Sequence, residues 1–179
     1  MSRTTTPERL PFLLEIGSEE IPARFVPDAM AELGKRLGEG LAAARLDAED
    51  LRVLATPRRM VVLCASLATR QPDRQTEVKG PPLSVAFGAD GQPTPAGLGF
   101  ARKAGVDLAD CERTGEGAGA CLVARRLEQG RDAAAVLAEL IPAVILAIPF
   151  RKVMRWGEHD LEYPRPLQWL VALLGEQVV

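Results

Sequence analysis

Short apolar runs alternate with polar turns along most of the chain, and this pattern predicts a fold with both strands and helices. Residues 12–16 form an apolar run that stops at Gly17, which predicts a buried strand. Further strands are predicted by the apolar segments at residues 51–55, 60–64, 121–124 and 169–174. A polar turn, Thr56-Pro57-Arg58-Arg59, separates the first two of these.

Three helices are predicted from spacing and capping residues. Apolar residues recur every three or four positions over residues 26–44, as on the buried face of a helix. A shorter helix is predicted between a cap at Thr94 and a stop at Gly105. The third, at residues 136–148, is almost entirely apolar, with Pro142 either kinking it or starting its second half.

The remaining segments bound the domain. Residues 69–94 are rich in proline, glycine and glutamine, which predicts a long surface loop or a boundary within the domain. The polar residues 1–10 predict a flexible N-terminus. We therefore predict an α+β fold over residues 11–179, with a mixed, mostly antiparallel sheet and packed helices. Its last segment is apolar and strand-like, so we expect an incomplete domain that exposes an apolar patch there.

Composition excludes some classes of function. The 179 residues are 47% hydrophobic and 26% charged, with a net charge of -2. A uniformly positive surface for nucleic acid is excluded, and an RNA site must be a local patch. The three cysteines lack a Cys-x-x-Cys spacing and His159 is the single histidine, so no metal site is predicted. Free thiols, the absence of a signal segment and the short apolar stretches predict a cytoplasmic protein that does not enter a membrane.

Carboxylates cluster after the first strand. Glu15, Glu19 and Glu20 could hold Mg²⁺ or act as an acid–base pair, but no histidine lies near them in the sequence. Solvated carboxylates at a strand end are the favoured interpretation. We predict no catalytic residue in this chain.

Half of the chain's eight aromatic residues lie within residues 150–169, interleaved with cations. The aromatic residues are Phe150, Trp156, Tyr163 and Trp169, and the cations are Arg151, Lys152, Arg155 and Arg165. Aromatic rings stack on unpaired bases and arginines bind phosphates, which favours a site for single-stranded or terminal RNA. A corner of the core, with rings inside and cations outside, is equally compatible with this segment.

Several short segments, in order, carry a family resemblance. They are residues 14–23 (LEIGSEEIPA), 56–59 (TPRR), 80–81 (GP), 99–102 (GFAR), 148–150 (IPF) with 154–157 (MRWG), and 165–166 (RP) with 169–175 (WLVALLG). Together they resemble the N-terminal part of the beta subunit of bacterial heterotetrameric glycyl-tRNA synthetase. Arg151, Val153 and Gln168 depart from the usual proline, serine and arginine of that family.

The resemblance implies a division of labour within a ligase. ATP and glycine would bind a separate alpha subunit, so the holoenzyme would use ATP and Mg²⁺ and this fragment alone would bind no cofactor and be inactive. Its implied partners are the alpha subunit, tRNA(Gly) and the remainder of the beta subunit. The fold is expected to resemble the editing-type domain of the phenylalanine enzyme's beta subunit. A scaffold without RNA contact and a vestigial editing-type module are the alternatives to tRNA binding.

The candidate RNA-binding residues are Arg58, Arg59, Lys79, Arg102, Lys152, Arg155, Trp156 and Arg165. Adjacent residues of an extended chain point to opposite faces. Arg58 and Arg59 are therefore predicted to differ: one pairs with an acid of the turn at residues 15–20, and the other faces solvent or RNA.

Overall fold

The computed structural model describes residues 8–88, 90–115, 119–158 and 160–179. The chain divides into two compact units. Unit 1 comprises Met1–Pro72 and Arg131–Val179, and unit 2 comprises Asp73–Gly130. Unit 2 is therefore an insertion within unit 1, and its first residue falls in the segment 69–94 that was predicted as a loop or boundary.

A five-stranded sheet forms the centre of unit 1. Its strands are β1 (Arg9–Ser18), β2 (Ala48–Thr56), β3 (Arg59–Ala68), β9 (Leu167–Leu174) and β10 (Gln177–Val178). They are arranged in the order β10-β9-β1-β3-β2, and every neighbouring pair is antiparallel. In β1 the alternate residues Phe12, Leu14 and Ile16 are buried, as the period of a strand requires.

Two helices cover one face of this sheet. In α1 (Val26–Ala43), the buried residues Ala29, Leu33, Leu37 and Leu41 recur at steps of four and form one stripe. The apolar helix α4 (Ala133–Leu146) continues through Pro142 without a break. Both helices join Phe12, Leu14 and Ile16 in one hydrophobic core. A small hairpin, β7 (Met154–Arg155) and β8 (Glu162–Tyr163), completes unit 1.

The opposite side of the sheet, here called the outer face, consists of the residues between the buried ones. Pairing places Leu13 beside Leu63 and Leu173, and Val61 beside Leu54. Val171 and Val178 extend the outer face onto β9 and β10. Leu54 is 56% exposed and Val178 75%, so the described residues leave much of this apolar surface open. The predicted exposed patch near the C-terminal strand is confirmed.

Unit 2 contains a three-stranded antiparallel sheet and short helices. The strands are β4 (Arg74–Pro82), β5 (Glu112–Thr114) and β6 (Cys121–Glu128), with β6 in the centre. The helices are α2 (Leu83–Ala86) and α3 (Pro95–Ala104). As predicted, the Thr94 hydroxyl accepts a hydrogen bond from Gly97 N at 3.3 Å, and Gly105 ends α3 at a φ of 71°.

Three sequence predictions need correction. The segment 69–94 is not an irregular loop throughout, because it contains β4 and α2. The pairing of β4 with β6 shifts in register between Lys79 and Pro82, where prolines have no N–H to donate a backbone hydrogen bond to the neighbouring strand. All strand pairs in the described ranges are antiparallel. The parallel pairs that the predicted mixed sheet would contain are therefore absent there. Arg9 and Leu10 belong to β1 rather than to a flexible terminus, whereas residues 1–7 lie outside the described ranges.

The two chain connections to unit 2 leave unit 1 at one place. Gln71 N donates a hydrogen bond to the Arg131 carbonyl at 2.9 Å. Within unit 2, Gly130 N donates to Asp73 Oδ1 at 2.7 Å. Both ends of the insertion are therefore closed by hydrogen bonds.

Candidate nucleic-acid and assembly sites

Three segments of the family-like pattern meet at one end of the unit 1 sheet. They are the turn after β1, the β2–β3 hairpin and the segment that leads into β9. Backbone hydrogen bonds join them: Ser18 N to Arg58 O at 3.1 Å, Ile21 N to Pro57 O at 2.8 Å, and Glu19 N to Pro166 O at 3.0 Å. Much of the resemblance in these segments thus lies in residues that fix one loop against another.

Arg59 belongs to a contact cluster on the outer face. Its Nε lies 3.3 Å from Glu15 Oε1, and its guanidinium carbon lies 5.6 Å from the centre of the Trp169 ring. Trp169 Nε1 donates a hydrogen bond to the same Glu15 oxygen at 2.7 Å. Gly17 is the register partner of both Arg59 and Trp169, and its missing side chain gives the indole its space. The predicted pairing of one arginine with an acid of the 15–20 turn is confirmed for Arg59.

Arg58 differs from its neighbour in its contacts. It lies at the tip of the β2–β3 hairpin and its side chain is exposed. Its carbonyl accepts the hydrogen bond from Ser18, but its guanidinium has no partner among the described residues. A cation is therefore held by its backbone at a fixed position while its charge remains open to solvent.

Arg165 and the glutamates complete this end of the sheet. Arg165 Nε donates to the Glu20 carbonyl at 3.0 Å, so it joins two loops. The side chains of Glu19 and Glu20 are exposed, whereas Glu15 is engaged by Arg59 and Trp169. Within the described ranges, no group of three or more His, Cys, Asp or Glu side chains is gathered as a metal site.

Two of the four aromatic residues in the segment 150–169, Phe150 and Tyr163, lie at a corner of the core, whereas Trp169 lies on the outer face. Phe150 packs edge-on against the buried Tyr163, with ring centres 5.2 Å apart. Burial raises the pKa of the Tyr163 hydroxyl. Trp156 Nε1 donates to the Tyr163 carbonyl at 2.9 Å. Arg155 lies between two acids, 3.5 Å from Asp160 and 3.4 Å from Glu162, which neutralise much of its charge.

The other candidates lie apart from one another. Lys152 is exposed in the loop before β7. Lys79 on β4 and Arg102 in the last turn of α3 are exposed residues of unit 2. Lys79 lines an open depression together with Lys103 and Arg126, two cations that the sequence interpretation missed. Two features of the sequence could have identified them. Lys103 is adjacent to the candidate Arg102, and Arg126 lies in the strand if the predicted strand at residues 121–124 is extended to residue 128.

Few side chains of reactive type bear on the prediction that this chain contains no catalytic residue. Cys64, Cys111 and Cys121 are free thiols, and Cys64 is buried. His159 lies outside the described ranges.

In the part of the chain that is described, no helix has the length and apolar character needed to cross a membrane.

The chain is similar to known proteins over nearly its whole length. Residues 12–179 match the family model described as glycyl-tRNA synthetase beta subunit. The glycine–tRNA ligase beta subunit of Syntrophotalea carbinolica is 45% identical over 166 residues, which cover 93% of this chain and 24% of that relative. The one from Geobacter metallireducens is 46% identical, with the same coverage of 93% and 24%. The one from Xanthomonas campestris is 43% identical and is covered to 25%. The chain spans about a quarter of the length of these relatives. It belongs to the family of glycyl-tRNA synthetase beta subunits, which are parts of an aminoacyl-tRNA synthetase.

Proposed function

We propose that this chain is a non-catalytic, tRNA-binding and assembly part of a glycine–tRNA ligase. It helps to recruit and orient tRNA(Gly) while the alpha subunit performs the ATP- and Mg²⁺-dependent glycylation in the cytoplasm. The proposal assigns no cofactor to the chain itself. Glycine-dependent pyrophosphate exchange by the isolated chain would contradict the assignment of catalysis to the alpha subunit.

The observation that carries tRNA binding is the contrast between Arg58 and Arg59. Arg59 is paired with Glu15, whereas Arg58, on an anchored hairpin, presents a guanidinium that no described residue pairs with. Arginines in such positions contact the phosphate backbone and fix the register of a nucleic acid without reading its sequence. Arg58 is therefore the residue for which we expect the largest effect on tRNA affinity in unit 1.

The test compares Arg58→Gln and Arg59→Gln in the full-length beta subunit. We expect Arg58→Gln to leave the melting temperature unchanged, weaken tRNA(Gly) binding and reduce the slope of log affinity against log salt by about 1. Lys35→Gln, on the exposed side of α1, is the control for a lost surface charge. Unchanged affinity and slope for Arg58→Gln would remove the support for tRNA contact at this hairpin.

A second candidate function, a scaffold, is favoured by the open outer face. The relatives are about four times as long as the matched segment, and we propose that the remainder of the beta subunit packs on Leu13, Leu63 and Val171. Trp169 and Arg59, at the end of this face, are residue types that often anchor interfaces. Leu63→Glu should lower the stability of the full-length subunit more than that of the 179-residue chain. Equal losses in both would contradict this docking.

We also propose that the fold is of the editing type found in the phenylalanine enzyme's beta subunit, on the family resemblance alone. Editing activity does not follow from such a fold. Glycine is the smallest amino-acid substrate, so an editing site that discriminates amino acids by size would add little selectivity for it.

A further inference from the structure

An open depression of about 260 Å³ lies on unit 2 between its sheet and the end of α3. Its lining residues are Thr76, Val78, Lys79, Phe100, Lys103, Ala104, Arg126 and Glu128. It belongs entirely to unit 2 and is distinct from the loops around Arg58.

The sequence builds this depression from two regular elements. Phe100, Lys103 and Ala104 lie on one side of α3, because residues three and four apart are neighbours on a helix. Ala104 is buried and anchors the helix, and the Phe100 ring lies over Gly80, where a Cβ would come within 2.7 Å of it. In the sheet, Thr76 and Arg126 are directly opposed across β4 and β6.

The residues that line the depression carry a net positive charge. Lys79, Lys103 and Arg126 are exposed, and none forms an ion pair with a described residue. Glu128 is the one carboxylate in the lining, so three cations and one anion give +2 (3 − 1). The neighbouring Arg125 contrasts with them, because its guanidinium binds Glu77 at 2.8 Å and Glu112 at 2.6 Å.

Alternation along β6 explains this contrast. Arg125 and Arg126 point to opposite sides of the strand. One side of the sheet uses Arg125 in a network of ion pairs. The other side carries Arg126 without such a pair, and α3 adds Lys103 and the half-buried Phe100 ring there. Lys79 also lines the depression, but its pairing with Val123 places it on the Arg125 side of the sheet. Cations that track a backbone and a ring that stacks on a base are the two elements of single-strand binding sites.

We infer that this depression binds one nucleotide of a single-stranded RNA segment, with its phosphates near Lys103 and Arg126 and its base against Phe100. The volume is below the range of about 300–1,000 Å³ typical of small-molecule sites, so the depression suits part of a longer chain rather than an enclosed free ligand. This inference goes beyond the proposed function by assigning unit 2 an RNA contact of its own.

The test measures the affinity of a fluorescent single-stranded RNA of about 12 nucleotides, a length that covers such a site. The variants are Lys103→Gln and Arg126→Gln, in the 179-residue chain and in the full-length beta subunit. Each should weaken binding roughly five- to tenfold and lower the salt slope by about 0.7. Phe100→Leu should weaken binding roughly fivefold or more and leave the salt slope unchanged.

Two controls separate binding from folding and from general charge. Lys35→Gln, an exposed lysine of unit 1 without a described partner, should leave RNA affinity unchanged. Lys103 also lies in the last turn of α3, where a cation stabilises the helix end. The melting temperature of each variant is therefore measured, and Arg126→Gln, which lies on β6, tests the site independently of that helix.

The outcomes distinguish this site from the one at Arg58. Loss of single-stranded RNA binding by the unit 2 variants, with Arg58→Gln unaffected, would support the depression, whereas the hairpin at Arg58 is tested separately by tRNA(Gly) binding. Normal binding and an unchanged salt slope in the Lys103→Gln/Arg126→Gln double variant would overturn the inference. Displacement of the RNA by inorganic phosphate at equal phosphate concentration would also overturn it, since the site would then bind free anions.

Discussion

Gly17 lies directly beneath the indole ring of Trp169, and a Cβ at this position would overlap the ring atoms Cε2 and Cδ2. We therefore expect Gly17→Ala to destabilise the chain by about 1–3 kcal/mol through overpacking. Trp169→Ala removes the ring, so the cost of Gly17→Ala should fall in that background. Urea denaturation of the four proteins of this cycle measures the coupling, and additive losses would contradict the contact.

The ion pair between Arg59 and Glu15 is expected to contribute little to stability. The Arg59 side chain is 53% exposed, and pairs of this kind are worth about 0–1 kcal/mol. Glu15 also accepts the Trp169 hydrogen bond, so Glu15→Leu should cost more than Arg59→Gln. Glu15→Gln keeps an acceptor oxygen for the indole and is the matched control. Equal melting temperatures for Glu15→Leu and Glu15→Gln would show that this hydrogen bond contributes nothing.

The Tyr163 hydroxyl is buried, and it has no hydrogen-bond partner among the described residues. Because an unpaired buried hydroxyl is costly, Tyr163→Phe should stabilise the chain by about 1 kcal/mol. Tyr163→Leu, which removes the ring contact with Phe150, is expected to destabilise it. Thermal denaturation near neutral pH compares the three proteins, and a loss of stability in Tyr163→Phe would contradict an unpaired hydroxyl.

The same residue predicts a pH dependence. Burial raises the Tyr163 pKa above its ordinary value of 10.0, so above that pH the unfolded chain loses a proton that the folded chain retains. Stability should therefore fall as the pH rises above about 10, and fall less in Tyr163→Phe. Urea midpoints at about pH 8 and about pH 11 measure this, and parallel losses in both proteins would exclude Tyr163 as the cause.

The outer face predicts self-association of the 179-residue chain. Leu54, Val171 and Val178 are exposed large apolar residues on this face, and open apolar patches commonly mark interfaces. Sedimentation at increasing concentration should show association, and Leu54→Lys should reduce it at unchanged melting temperature. Leu127→Lys, at an exposed leucine of unit 2, is the control. Concentration-independent monomers would contradict the prediction.

Local pattern was sufficient to predict much of the fold. Thr94 and Gly105 bound a helix because their capping chemistry is local. Strand β4 could not be predicted, because Gly80 and Pro82 argue against a strand and pairing with β6 outweighs them. Different contacts for Arg58 and Arg59 were predicted from alternation, but in the structure Arg58 lies in the hairpin turn and only Arg59 lies in β3. Which of them would contact Glu15 depended on the register that places Arg59 opposite Gly17, and sequence alone does not fix that register.

The closed ends of the insertion have a consequence for the order of folding. Glu15 and Trp169, which are in contact on neighbouring strands, are separated by 154 residues of chain. Bringing such distant segments together costs chain entropy that grows with the length of the intervening loop. Once unit 2 has folded, its first and last residues are held together by the bond between Asp73 and Gly130. The folded insertion therefore shortens the loop that must close, and it assists the pairing of β1 with β9 without contributing a residue to either strand.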